Sequence, residues 1–150
     1  MTAADRPVIE CLDVHLSRGA REVLRGVCFE MRRGEVVALM GASGSGKTTI
    51  LRAIAGLDPI DRGEIEVGGV RVSAGPGLDC RQLHAKSAMV FQFHCLFEHL
   101  PVLQNVWLAP VHVQRVPRRE AVQRATALLR ALGVEHRAGA LPRELSGGEA

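Results

Sequence analysis

Gly41-Ala42-Ser43-Gly44-Ser45-Gly46-Lys47-Thr48 is the stretch of this chain whose residue types and spacing speak most directly of chemistry. It follows G-x-x-x-x-G-K-[ST]. In that pattern glycines let successive backbone N–H groups point inward, and a lysine reaches the outer phosphates of a nucleotide. An apolar run, Val36 to Met40, leads into it, and a helix-patterned run, Thr49 to Ala55, leads out. A helix beginning near Gly46 adds unpaired N–H groups and the positive end of its dipole. Of the 19 Lys plus Arg, only Lys47 and Lys86 are lysines. A chain that otherwise uses arginine places lysine where a compact ammonium must reach between phosphates. A polyphosphate is the guest these residues suit. The competing reading is a glycine-rich turn between strand and helix.

Two further features carry polar chemistry. Gln92 follows the apolar run Ser87 to Phe91, and a polar amide at the exit of a buried strand is where ligand contacts sit in open α/β sheets. Near the end of the sequence, Leu145-Ser146-Gly147-Gly148-Glu149 has capping-box spacing, so a helix is expected to begin at Ser146. A serine hydroxyl, two glycines and a helix N-terminus together form a second candidate anion site, beside the plainer reading of an ordinary helix start.

The elements that must position these residues are legible in outline. Residues 8–13 read as a short strand, Ser17 to Arg21 as a turn, and Val23-Leu24 with Val27 to Phe29 as a second strand. Arg33-Gly34 turns the chain into a buried strand at 35–40. Gly56 and Pro59 end the following helix, and Asp61 to Glu64 reads as a turn. Ile65 to Val67 and Val70 to Val72 flank Gly68-Gly69, a two-residue hairpin signal. Ser73 to Asp79 is a surface loop, and Ser87 to Phe91 the next strand. Leu103, Val106, Trp107 and Pro110 mark a short helix. Arg118 to Leu132 is a clearer one, opened by Pro117 and closed by Gly133. Its arginines 118, 119, 124 and 130 read as a solvated face. Two strands ahead of the loop suggest a small antiparallel β layer packed on a nucleotide-binding α/β core.

Composition narrows the classes. The 150 residues are about one domain, 47% of them hydrophobic, which is enough for a core. A net charge of +3 without a basic run does not call for nucleic acid. No stretch of 18 apolar residues is long enough to span a membrane, and Met1 to Pro7 lack the apolar core of a signal peptide. The four cysteines (Cys11, Cys28, Cys80, Cys95) have no C-x-x-C spacing and read as reduced small hydrophobes. A metal site at His94, Cys95 and His99 is an alternative use of those residues, without a second cluster to complete it.

In order along the chain, the loop at 41–48, Gln92 after a strand, and Leu145 to Glu149 resemble the nucleotide-binding subunit of ATP-binding cassette (ABC) transporters, over nearly the whole sequence from Ile9. Gly63-Glu64-Ile65, Met89 to Gln92 and Leu96 to Leu100 look most like the ATPases of polar amino acid importers. The resemblance implies an α/β fold: a P-loop NTPase core of the ABC ATPase type with an antiparallel β layer over residues 1–92, and a helical subdomain over 93–150 ending at the signature motif. It implies ATP and Mg²⁺ as cofactors and assigns roles. Lys47 and Gln92 are catalytic. Gly41, Ser43, Gly44, Ser45, Gly46, Lys47, Thr48 and Thr49 hold the phosphates. Thr48 and Gln92 approach Mg²⁺. Ser146, Gly147 and Gly148 contact the γ-phosphate of ATP on a second subunit in a head-to-tail dimer. Residues through Leu96, Phe97 and His99 face transmembrane permease subunits, which places the protein on the cytoplasmic face of a membrane, with no nucleic acid partner. Arg18 stands where the family has an aromatic residue on adenine, and Glu149 where it commonly has Gln. The family's later strand ending in Asp, its following Glu and its downstream His have no counterpart in the 150 residues. The expected consequences are weak ATP binding without useful hydrolysis, and uncovered apolar faces that lower solubility. Soluble ABC proteins of translation or DNA repair, and a non-hydrolysing remnant, are the alternatives.

Overall fold

The computed structural model describes residues 6–73, 80–93 and 95–149. The chain divides into two compact units, Met1–Met89 and Val90–Ala150. The loop expected at Ser73 to Asp79 lies outside the described residues except for Ser73, and so does His94 of the alternative metal site.

The first unit is built on an apolar pattern that changes phase. Apolar residues fall at 9 and 11, then at 14 and 16. A strictly two-residue repeat would turn one of those pairs to solvent. An irregularity at Asp13, whose φ is +48°, corrects this. β1 (Ile9–Arg18) pairs antiparallel with β2 (Arg21–Met31), placing Cys11 opposite Phe29 but Val14 opposite Val27. Three steps on one strand match two on the other, which is a β-bulge. Cys11, Val14 and Leu16 are therefore all buried. Both strands run longer than the sequence suggested, and the turn between them is only Gly19-Ala20.

On its other edge β1 pairs with β3 (Arg62–Val67), which pairs with β4 (Val70–Ser73), giving an antiparallel sheet ordered β2-β1-β3-β4. The Gly68-Gly69 hairpin is as expected, with both glycines at positive φ. The turn expected at Asp61 to Glu64 is instead the start of β3. Its Gly63 faces the β1 bulge so closely that a Cβ would lie 2.2 Å from the Asp13 carbonyl oxygen. A glycine that reads as a turn in sequence is here a close backbone approach.

One face of this sheet packs on α1 (Lys47–Ile54), which buries Ile50, Ala53 and Ile54 at helical spacing. Leu83 of the short α2 (Cys80–His84), an element the sequence reading did not anticipate, is fully buried in the same cluster. The other side of the sheet carries a charged cluster at the bulge. His15 bonds Glu22 at 2.8 Å through Nδ1 and Asp13 at 3.0 Å through Nε2, and Arg62 donates to Asp13 at 2.8 Å. The Glu22 contact, then that with Asp13, holds the imidazole charged above its ordinary range. A raised folded value means the stabilisation is complete below the unfolded histidine value of about 6.5 and is lost as pH rises through the folded value. The melting temperature is therefore expected to fall over that alkaline interval, and His15→Gln to flatten the dependence in a pH series of thermal melts.

Two expected strands are absent. Residues 35–40 and 87–91 are extended but pair with nothing among the described residues. Strand structure requires a ladder partner, and apolar composition alone does not supply one. Several of their apolar side chains are accordingly bare, Val36 being 98% exposed, Met40 91% and Val90 95%, whereas Leu39 packs against the core.

The second unit is helical. Asn105 in α3 (Val102–His112) orders the preceding turn, accepting from Phe97 N–H at 2.8 Å and donating to the Leu100 carbonyl at 2.9 Å. α3 lies against α4 (Arg118–Ala131), both close to the expected spans. Ala121 and Ala125 are buried with Trp107, their small side chains giving the indole room, and Arg118 stacks over it at 4.9 Å. Arg119, Arg124 and Arg130 are exposed, as read from the sequence. Short 3-10 turns at Glu135–Arg137 and Pro142–Glu144 carry the chain to Leu145.

Candidate functional site

The glycine-rich loop bridges the extended segment and α1. Gly46 has φ +93° and precedes the helix, and a side chain there would meet Leu24 and Val23 of β2. The loop thus sits directly against the sheet. Gly41 is crowded from the other direction, since an added Cβ would come within 2.8 Å of Ser45 Oγ. Ser45 N–H donates to the Ala42 carbonyl at 3.2 Å, closing the curl.

Lys47, the first residue of α1, folds back over the loop. Its ammonium donates to the carbonyls of Gly41 at 2.8 Å and Ala42 at 2.7 Å, and lies 3.4 Å from Ser45 Oγ. Among the described residues no protein acceptor takes the N–H groups of Gly44, Gly46, Lys47 or Thr48. The first turn of α1 contains no acidic residue. Unpaired donors, a helix N-terminus and a cation with no competing carboxylate suit an anion with several oxygens. Thr48 is exposed and offers one hydroxyl to a cation. No group of three His, Cys, Asp or Glu among the described residues is placed to hold a metal alone. Mg²⁺ at this loop would take Thr48 together with phosphate and water oxygens, in keeping with its preference for few protein ligands. Ser43 and Thr49 stand in the loop and on the first turn of the helix.

Arg18, at the end of β1, is held rather than free. Its guanidinium pairs with Asp58, which also receives Arg52 of α1 at 2.8 and 3.1 Å. Asp58 is only 6% exposed, the one buried charged residue among those described. The hydrogen bond from Arg52, with both positive charges nearby, holds its carboxyl below the usual aspartate range against the opposing effect of burial. Sequence reading passed over Asp58 as part of a helix stop. The signal was a carboxylate between Leu57 and Pro59, two residues that offer it no polar company. Asp58→Asn is expected to cost about 2–3 kcal/mol in urea unfolding at neutral pH. The loss shrinks as pH falls through the lowered folded value, where the wild-type carboxyl is itself protonated.

The remaining site residues lie in the second unit. Gln92 is exposed at the end of the unpaired segment. With Phe93, Cys95, Leu96, Glu98 and Arg143 it lines a groove of about 450 Å³. Gly147 and Gly148 are exposed, with open space where a side chain would stand. Ser146 differs from expectation. In a full capping box its hydroxyl would accept from the Glu149 N–H. Here that N–H donates to the Ser146 carbonyl at 3.0 Å, while the hydroxyl and the Ser146 N–H both donate to the Glu149 carboxylate at 2.8 Å. The reciprocal half of the box forms, and residues 147–149 make a turn.

Comparison with known proteins is unambiguous at the level of family. The family model for ABC transporters matches residues 24–150. The arginine/ornithine transport ATP-binding protein AotP of Pseudomonas aeruginosa is 40% identical, over 94% of this chain and 59% of its own length. The glutamine transport ATP-binding protein GlnQ of Geobacillus stearothermophilus is 42% identical, over 87% of this chain and 54% of its own. A solved ATP-binding cassette, a dimer in a post-hydrolysis state bound to ADP and Pi, superposes with a TM-score of 0.80 at 28% identity, covering 94% of this chain and 64% of that one. The chain thus spans between half and two thirds of the length of the proteins it matches.

Proposed function

Because this chain belongs to the ABC transporter family as an ATP-binding domain, we propose that it binds Mg-ATP at Gly41–Thr48 and pairs with a second copy, which receives its Ser146-Gly147-Gly148 turn. The observation that carries this reading is the loop itself. Among the described residues the N–H groups of Gly44, Gly46, Lys47 and Thr48 have no protein acceptor, and the lysine already gathers oxygen ligands. Lys47 would exchange the Gly41 and Ala42 carbonyls for phosphate oxygens, while the N–H groups of Gly44, Gly46, Lys47 and Thr48 take the remaining ones. Thr49 supports the first turn. Thr48 would help to hold Mg²⁺, which when bound supplies charge neutralisation for phosphoryl transfer. Arg18 presents a planar guanidinium held at one edge by Asp58, a platform suited to stacking on a base. Gly147 and Gly148, open to solvent, leave room for a neighbouring triphosphate.

The transport reading is supported by the relatives named for arginine/ornithine and glutamine transport. It is the energising of polar amino acid import by a membrane complex, with permease subunits seated near Gln92 and Leu96 to His99. No helix among the described residues is long and apolar enough to cross a membrane. Sedimentation with and without Mg-ATP, beside binding of a fluorescent ATP analogue, tests the proposal. Nucleotide-driven pairing is expected, and the absence of saturable binding would overturn the reading.

A further inference from the structure

The turn Ser146–Glu149 ends in an acid, an awkward residue for a segment that is to face a triphosphate. A carboxylate there repels the phosphates, and it loosens the turn unless something holds it. The structure supplies the holder. Arg137, in the 3-10 turn Glu135–Arg137, donates from a terminal nitrogen to the Glu144 carbonyl. Its buried Nε lies 3.0 Å from one Glu149 oxygen, an ion pair without the geometry of a hydrogen bond. The other Glu149 oxygen takes both Ser146 donors, with an Arg137 terminal nitrogen 3.4 Å away. One guanidinium therefore grips the residue before the pentapeptide and the residue that closes it. His136 stands 3.6 Å from the first oxygen and is a further titratable neighbour. The pair is largely shielded, with side-chain exposures of 32% for Arg137 and 25% for Glu149.

We propose that Arg137 is the positioning residue of the signature turn: it cancels the charge of Glu149 and, through that carboxylate, fixes Ser146 so that the turn can approach the phosphates of a partner's nucleotide. The proposal rests on the reading of 146–148 as a nucleotide-facing turn, but its local half stands without it. Hydrogen bonds from Ser146 N–H and Oγ–H, then the charge of Arg137, hold the Glu149 carboxyl below its ordinary range.

The test uses the full chain with Arg137→Met, Arg137→Lys, Glu149→Gln, and Arg137→Met combined with Glu149→Gln. Carboxyl titration by NMR is expected to place Glu149 low in wild type, nearer its ordinary value in Arg137→Met, and between them in Arg137→Lys. The Mg-ATP concentration for half-maximal pairing is expected to rise about tenfold in Arg137→Met, and to return within about threefold of wild type when Glu149→Gln is added. An unchanged Glu149 titration, or a double variant as impaired as Arg137→Met, overturns the proposal. Wild type that binds no nucleotide overturns the proposed function, and the titration still decides the local half. If Arg137→Met does not fold, the wild-type Ser146 amide decides instead. It must shift with the protonation of Glu149, and failure to do so overturns the proposal.

Discussion

Lys47→Ala is expected to weaken triphosphate binding by about two to three orders of magnitude while leaving the fold intact. Two charge-assisted hydrogen bonds to phosphate, each contributing about 1.5–3 kcal/mol, set that scale. The folded chain is spared because the Lys47 ammonium touches only loop carbonyls and Ser45, and none of the buried cluster depends on it. Calorimetric titration with Mg-ATP measures the first effect, and an unchanged urea midpoint the second. Lys47→Arg is expected to recover little. A planar guanidinium is bulkier than an ammonium, and Gly41 and Ser45 already crowd the loop. Equal affinity in wild type and Lys47→Ala would remove the phosphate loop from the account of function altogether.

Gly63→Ala is expected to destabilise the first unit by about 3 kcal/mol or more. Its φ of +92° disfavours any side chain, and the atoms a Cβ would meet are the backbone of Leu12 and Asp13 at 2.2 to 2.6 Å. Nothing flexible can yield there, so β1 and β3 must separate across the bulge. Gly69→Ala makes the comparison clean: its φ is +81° but the space around it is open. Its penalty is expected near 1 kcal/mol, the conformational cost alone. Urea unfolding of both variants separates steric from conformational contributions, and equal losses would show that the close approach carries no weight.

These two glycines also show what was legible in the sequence. Gly69 sits beside Gly68 between two apolar runs, a local pattern that names its turn. Gly63 has a similar local context, Asp61 to Glu64, yet lies in a strand, because its surroundings are set by Asp13, fifty residues earlier in the chain. The phosphate loop and α4 were readable for the same reason as the hairpin: their determinants are consecutive or lie at helical spacing. The bulge in β1 did leave a trace, the change of phase between Cys11 and Val14, although only pairing with Val27 and Phe29 gives it meaning. Residues 35–40 and 87–91 mark the opposite limit. Their composition is that of buried strands, but a strand is a relation between two segments, and neither finds a second one here. Of the candidate site residues, those of the loop, Gln92 and the Ser-Gly-Gly turn announce themselves by type and spacing. Asp58 and Arg137 do not, since each matters through what it holds: Arg18 in one case, Glu149 in the other.

The fold-back of Lys47 would make the proposed nucleotide capture an exchange reaction. The ammonium does not wait in water for its ligand; it occupies oxygen sites supplied by its own loop, so those carbonyls act as an internal competitor. Affinity then reports the difference between phosphate and carbonyl as partners for one cation, rather than the full strength of the new bonds. A guest with a single weakly charged oxygen gains little by displacing them, whereas one that brings several phosphate oxygens at once displaces them with a large surplus. The loop would in this sense act as a filter, favouring multiply charged guests before any contact with the base is made.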